Sequence, residues 1–373
     1  MLTIGLEATR ANKDMRTGTE WYAWHILQQL KKIDRENKYI VYYNQTLNPE
    51  LAEGPANFYF QQLKWRYRKF WTHIRLGKEL RKNPVDIFLA TNAVPFLMKQ
   101  GKIVVTIHDL GFYVNPQLYH PLERIYQNIS HKLAIRQADK IIAISEATKQ
   151  DIIKYFPKAE NKIKVIYDGW NSQDFVPSNK ENKDKILYKF DLPENFILYT
   201  GRLESKKNIQ CLIKAFKLLN TNWSLVLAGR AGNYGYKEIE ALANDPEIKD
   251  RVILLSYVSQ KYYTSLVAAA NIYAFPTKFE GFGITVLEAM GSGVPVACSD
   301  LSVLHEVGGK AAVFFDPDNP QDMAGQLQKL IDKPDLREEL SKKGIEQAKK
   351  FSWEKCAQET LDYMLDDSID KKE

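Results

Sequence analysis

Short, almost unbroken apolar runs recur from one end of this chain to the other, with amphipathic helical stretches between them, and few folds accommodate that pattern. A strand wetted on one face alternates apolar and polar residues, whereas a continuous run is buried on both faces, as parallel strands are. In the first half such runs predict strands over 2–6, 39–43, 87–90, 103–108, 140–145 and 163–167. In the second half they predict strands over 196–200, 224–228, 252–255, 272–275, 294–298 and 312–315. Strands alternating with helices argue for βαβ units in an α/β fold, here a doubly wound, Rossmann-like sheet built twice. The stretch 171–184, with Asn, Ser, Gln, Pro and a charge cluster, is the expected linker, and a final helix is expected over 353–365. Ligands of open α/β sheets bind beyond the carboxyl ends of the strands, so two such sheets facing each other would enclose a cleft.

A chain of 373 residues suits two domains of ordinary size. Its three cysteines, Cys211, Cys298 and Cys356, lie far apart without metal-ligand spacing, which points to a reducing compartment. The first ten residues carry Glu7 and Arg10 and read as a strand, not a signal peptide. No apolar run approaches the roughly 20 residues that span a bilayer, so a soluble, cytoplasmic protein is expected. Residues 1–180 hold 27 Lys and Arg against 17 Asp and Glu, a balance of +10, while the remainder holds 25 against 29, or −4. An anionic surface or acceptor would suit the first half.

The most informative segment begins Lys278-Phe279-Glu280-Gly281-Phe282-Gly283 and continues Ile284-Thr285-Val286-Leu287-Glu288. A strand ends, a glycine-rich turn follows, and a helix is predicted to start near Ile284. Gly281 and Gly283 let the backbone approach a ligand closely. The helix start offers N–H groups and a positive dipole end to a phosphate or sugar oxygen. Glu280 and Glu288 flank that turn and can accept hydrogen bonds from hydroxyls on either side of it, which suits a nucleotide sugar. A second segment, Tyr199-Thr200-Gly201-Arg202 through Lys207-Asn208, follows the first strand of the second half. Arg202 and Lys207 are spaced to clamp a diphosphate and stabilise leaving-group charge. The segment has neither a Walker loop nor the Gly-x-Gly-x-x-Gly fingerprint that a nicotinamide dehydrogenase would need.

Three further features complete the pattern. His108, in Thr106-Ile107-His108-Asp109, stands at a strand's carboxyl end in the first half, and Gly18 lies in the first βα turn, where backbone N–H groups could meet a phosphate. Asp316-Pro317-Asp318 resembles a metal-binding Asp-x-Asp, but Pro317 and the following Asn319-Pro320 make it a turn. Residues 61–82 mix eight Lys and Arg with Trp65, Tyr67, Phe70 and Trp71, opposed only by Glu79. Taken as one helix, Leu63, Tyr67, Phe70, Trp71 and Ile74 form an apolar stripe among basic residues. Such a stripe either packs on the sheet or lies on an anionic leaflet.

Together, Glu280 with Glu288, Gly201-Arg202 with Lys207, Ile144-Ser145-Glu146, Tyr167-Asp168-Gly169 and Phe351-Ser352-Trp353 resemble the retaining GT-B glycosyltransferases of family 4. The likeness spans nearly the whole chain, and the Thr106–Leu110 run is similar to that of bacterial mannosyltransferases building O-antigen or exopolysaccharide. The resemblance implies an N-terminal acceptor domain over 1–172, a donor domain over 173–355, and a C-terminal helix, 356–373, packed back on the first. It implies that Glu288 holds the donor ribose, and that Glu280 with the backbone of Phe282 and Gly283 holds donor-sugar hydroxyls. Arg202 and Lys207 would bind the diphosphate, assisted by Ile284 and Thr285 and closed over by Gly18. His108 would contact the donor sugar near the reacting carbon, and Gly201 and Gly229 would line the nucleotide pocket. Family spacing selects Lys207 over the adjacent Lys206. Asn208 stands where the family more often has glycine, and 16–18 holds one glycine where many members have two.

The expected activity is metal-independent, cofactor-free, retaining transfer of a hexose to a glycan or lipid-linked acceptor, with no nucleic-acid partner. GDP-mannose is the first candidate donor and a UDP-sugar the next. The place is the cytoplasm, peripheral to the inner face of the plasma membrane through 61–82. A nucleotide-sugar 2-epimerase of the same fold and a non-catalytic sugar-nucleotide binder remain alternatives.

Overall fold

The computed structural model describes residues 1–13, 16–67, 70–91, 93–95, 101–232 and 234–366. It separates into two compact units, Met1–Gly169 joined by the helix that begins at Trp353, and Trp170–Ser352.

The first unit holds a seven-stranded, wholly parallel sheet. Its strands are β1 (Thr3–Glu7), β2 (Lys38–Tyr43), β3 (Phe58–Gln62), β4 (Ile87–Ala90), β5 (Lys102–Ile107), β6 (Lys140–Ala143) and β7 (Ile163–Val165), in the order β3-β2-β1-β4-β5-β6-β7. The second unit holds β8 (Phe196–Thr200), β9 (Ser224–Ala228), β10 (Val252–Leu255), β11 (Ile272–Phe275), β12 (Val296–Ser299) and β13 (Ala312–Phe315), in the order β10-β9-β8-β11-β12-β13. Counted from its own first strand, each sheet runs 3-2-1-4-5-6, the doubly wound Rossmann order, and the first adds a seventh strand, β7, beside β6. Every residue of β4, β6, β8, β9, β11 and β12 is buried, because helices cover both faces.

The helix Trp353–Leu365 belongs with the first unit, lying along the Gly18–Ile33 helix. The fully buried Lys140 donates its ammonium to the Tyr363 carbonyl at 2.8 Å and to that of Asp366, and the Tyr363 hydroxyl donates to the Lys162 carbonyl at 2.7 Å. A cation on the last carbonyls of a helix satisfies acceptors that the helix itself leaves open.

The sequence expectation fails in two regions. The helix Lys180–Phe190, its start capped by the Asn179 side chain, takes up the end of the expected linker 171–184, and the basic segment folds differently. The segment 61–82 is not one amphipathic helix. Gln61 and Gln62 complete the edge strand β3, in register with Tyr42 and Tyr43. Phe58 on that strand stacks 4.2 Å from the buried Tyr39. Phe70 then takes a left-handed conformation before a π-helical turn, Trp71–Leu76, that runs into the α-helix Gly77–Lys82. The supposed stripe divides: Leu63 and Trp71 enter the core, joined by the indole N–H donating to the Leu63 carbonyl at 2.7 Å. Tyr67, Phe70 and Ile74 face solvent. Arg68 and Lys69 lie outside the described residues. Among the described residues no helix is long and apolar enough to cross a membrane.

Candidate active site

In the second unit β8 and β11 are neighbours, and the chain leaves them in opposite directions along the sheet. Two loops therefore diverge from one point and leave a crevice beyond the strand ends. The loop after β8 carries Gly201, Arg202 and Lys207; the loop after β11 carries Glu280 to Gly283 and then the helix Ile284–Gly291. Gly283 caps that helix with φ +99°, a conformation that side chains with a Cβ rarely adopt, and Leu304 would meet a Cβ there at 2.9 Å. Behind the β8 loop, Gly229 comes so near that a Cβ would stand 1.7 Å from the Gly201 carbonyl oxygen. The glycines set the loop paths before any ligand is considered.

Those paths bring Lys207 and Glu280 together, Nζ to Oε2, at 2.5 Å. The two loops are tied again where the Lys278 amide donates to the Lys206 carbonyl at 3.2 Å. Arg202 is exposed and leans on the buried Glu204, its guanidinium 3.8 Å from the carboxylate, with Lys206 at 3.3 Å from the same group. Glu204 thus gathers basic side chains at the start of the β8 loop, a role that sequence reading missed. Asn208 resolves the departure from glycine: it adopts φ +58° and ψ +32°, and its side-chain amide donates to the Pro317 carbonyl at 2.6 Å. Asparagine is among the few residues that take this region readily.

Glu288 lies on the helix, half-buried, and accepts a hydrogen bond of 2.8 Å from the Tyr263 hydroxyl. Burial pushes its carboxyl up to about 8, and the Tyr263 bond offsets part of that rise. Tyr263 and Tyr273 share the Thr200 hydroxyl at 3.2 Å and 2.8 Å. The Thr285 hydroxyl, in the first turn of the helix, lies beside the Tyr273 phenol. Tyr263 was not expected from the sequence; it sits on the separate helix Gln260–Ala269 beside another tyrosine, and nothing in its spacing aims it at Glu288.

The remaining expected residues sit in the first unit. His108 follows β5, buried, with Nε2 2.8 Å from the Thr91 carbonyl. A carbonyl only accepts, so Nε2 carries the proton and Nδ1 keeps its lone pair. Burial drives its pKa down to about 4, against the opposing pull of the Thr91 bond. Its ring meets Tyr22 edge-on at 4.8 Å, and Tyr22 is pinned to the Thr106 hydroxyl at 3.0 Å. Gly18 is the first residue of its helix, with open space around it. That helix start already holds an acidic group: the Glu20 carboxylate accepts from the Thr17 amide at 2.8 Å and meets Lys13 at 2.5 Å. Asp316 and Asp318 form a turn, the Asp318 amide donating to the Asp316 carboxylate at 2.9 Å while Lys278 pairs with Asp318 at 2.6 Å.

Residues 16–173 match the family model Glycosyltransferase Family 4, and 180–347 match Glycosyl transferases group 1. The O-antigen chain mannosyltransferase B of Escherichia coli is 31% identical over 70% of this chain and 69% of its own length. The O-antigen chain mannosyltransferase RfbU of Salmonella typhimurium is 26% identical over 73% and 72%. Among solved structures, sucrose-phosphate synthase from Thermosynechococcus elongatus superposes with a TM-score of 0.77 at 19% identity, covering 97% of this chain and 98% of that one. HepE of Anabaena, solved with UDP and glucose, superposes at 0.76 and 18% identity over 97% and 99%. Two sheets of one strand order and relatives along the length of both place the chain in glycosyltransferase family 4, as a GT-B enzyme resembling the O-antigen mannosyltransferases.

Proposed function

We propose that the enzyme transfers a hexose, mannose in the first instance, from a nucleoside diphosphate donor to a glycan or lipid-linked acceptor, with retention of configuration and without a metal. The observation that carries this reading is the Lys207–Glu280 contact at the strand-order switch point. A cation and a carboxylate held side by side at a glycine-capped helix start provide for both halves of an activated sugar. Lys207 and the exposed Arg202 bind the diphosphate and take up the charge that grows on it as the glycosidic bond breaks. The N–H groups of Ile284 and Thr285 add the helix dipole. Glu280, with the backbone of Phe282 and Gly283, holds sugar hydroxyls, and Glu288 holds the ribose. Within the first unit, the neutral His108 leaves Nδ1 as a hydrogen-bond acceptor for a sugar hydroxyl, and Gly18 leaves open space at its helix start. With the cations supplied by side chains, the leaving phosphate itself takes the acceptor proton in a front-face attack.

Two relatives named as O-antigen mannosyltransferases favour GDP-mannose, and the UDP in HepE keeps UDP-sugars next. The basic segment 61–82 makes the enzyme peripheral to an anionic membrane at the cytoplasmic face. A thermal-shift panel of GDP, UDP, GDP-mannose and UDP-glucose tests the donor. At a concentration near 100 times Kd the true ligand stabilises the fold by about 2.7 kcal/mol. A panel in which no nucleotide raises the Tm rejects the site.

A further inference from the structure

The helix Pro121–Gln137 of the first unit exposes an unusual face. Leu122, Ile125 and Ile129 are 73%, 53% and 52% exposed, and Tyr126 between them is exposed as well. Their spacing of three, four and seven puts them on one side of the helix, while Ser130, Ala134 and Ile135 turn inward. The stripe extends onto the neighbouring segment. Phe70 meets Tyr126 at 6.3 Å between ring centres, and the Tyr126 hydroxyl lies 3.3 Å from His73 Nε2. Monomeric proteins rarely leave so many large apolar side chains contiguous in water.

The charges around this patch say what covers it. Lys132 and Arg136, both exposed, continue the same face of the helix one and two turns past Ile129. On the adjoining segment Lys64, Arg66 and Lys78 are exposed. The only acid of 61–82, Glu79, is buried and turned inward to Arg75, Gln61 and Asn83. Glu123 lies to one side of the stripe by helical spacing. A second copy of this face would set cation against cation, whereas an anionic bilayer offers hydrocarbon to the stripe and phosphate to its rim.

We propose that the Leu122, Ile125, Tyr126 and Ile129 face, with Phe70, inserts into the headgroup region of an anionic bilayer and is the docking element of the enzyme. This rests on the peripheral-membrane reading above but moves the anchor from the basic segment to the helix Pro121–Gln137. The basic segment becomes its electrostatic flank.

The test is co-sedimentation of the full chain with vesicles of phosphatidylglycerol and phosphatidylethanolamine, beside vesicles of phosphatidylcholine. Wild type should sediment with the anionic vesicles, less so at high salt. The triple variant Leu122→Ser, Ile125→Ser, Ile129→Ser should lose about tenfold or more of that partitioning while keeping its melting temperature. Equal sedimentation of the triple variant and wild type overturns the proposal and leaves the basic segment as the anchor. Absence of binding by wild type overturns both. A wild-type dimer that the triple variant converts to a monomer, with vesicle binding unchanged, assigns the face to a second copy and also overturns it. Should the triple variant fail to fold, Ile129→Trp gives an independent readout: its emission must shift blue on the anionic vesicles, and an unshifted spectrum overturns insertion.

Discussion

The two sheets share one strand order, yet the ionisable groups beyond their strand ends differ. At β8 and β11 the ionisable groups are paired, and several are accessible: Lys207 with Glu280, and Arg202 and Lys206 on Glu204. At and beyond the strand ends of the first unit Glu20 keeps its ion pair with Lys13, but three other groups are buried and pushed toward neutrality. His108 is depressed by burial to about 4, and Glu7, at the end of β1, is raised by burial. Asp168, on the motif that closes the unit, is raised well above the carboxylate range for the same reason. Topology thus supplies the crevice twice, and local sequence decides whether it is charged or neutral. A charged crevice suits a diphosphate; a neutral, hydrogen-bonding wall suits a sugar and its hydroxyls.

The charged side gives the sharpest test of this contrast. Lys207→Ala and Glu280→Ala should each cut turnover by about 10²–10⁴-fold with the far-UV spectrum and Tm preserved. Because the two groups touch, the double variant should fall short of the product of the single losses, whereas groups acting independently would multiply. Steady-state kinetics of the four-member cycle decides. Near-normal turnover in both single variants would remove the second unit's switch point from the chemistry.

Within that charged side Glu288 is the exception, since burial has made it resemble the first unit's groups. Its value of about 8 lies above the ordinary 4.5, so its contribution to stability is complete at acid pH and lost as pH rises through about 8. Glu288→Gln should flatten that part of the stability-versus-pH curve. If Glu288 holds the ribose as proposed, the hydroxyls bond more strongly to its ionised form, and nucleotide binding at pH 7 should release protons from wild type and none from Glu288→Gln. Calorimetry in two buffers of different ionisation heat measures this. Tyr263→Phe removes the bond that favours the ionised form, and should weaken nucleotide binding by about 2–10-fold at pH 7. Unchanged affinity would mean that Tyr263 is packing alone.

The same division separates what the sequence disclosed from what it hid. In the second unit, five strands were predicted with the bounds they have, because parallel strands buried on both faces are written as unbroken apolar runs. The sixth, β12, begins two residues late, after Gly293 at φ +73° and Pro295. The helix start at Ile284 and the final helix were equally legible, from glycines, Pro276 and the Phe351-Ser352-Trp353 entry. In the first unit β3 was missed. It is an edge strand with Tyr59 and Gln62 exposed, and its last two residues, Gln61 and Gln62, look like the start of the basic amphipathic run that follows. The exposed stripe on Pro121–Gln137 was hidden for a related reason. Periodicity reports that a helix has an apolar face but not whether anything covers it, and that depends on neighbours distant in sequence. Tyr263 was invisible because its partner lies 25 residues away and only the folded sheet brings them together.

Asn208 provides the finest probe, because it asks whether the charged loop owes its shape to a side chain or to a backbone conformation. The residue is left-handed and also donates its amide to Pro317. Asn208→Gly keeps the first property and loses the second; Asn208→Ala loses both. A left-handed residue with a Cβ and no local hydrogen bond costs about 1–2 kcal/mol, and a lost hydrogen bond about 0.5–1.5 kcal/mol. Denaturant titration should therefore rank wild type above Asn208→Gly, with Asn208→Ala lowest. If conformation dominates, glycine will lie nearer wild type and its turnover will be preserved, since Lys207 will still reach Glu280. If the two variants are equally destabilised, the Pro317 bond is what holds the loop, and the glycine common at this position in the family is replaced here by a tether.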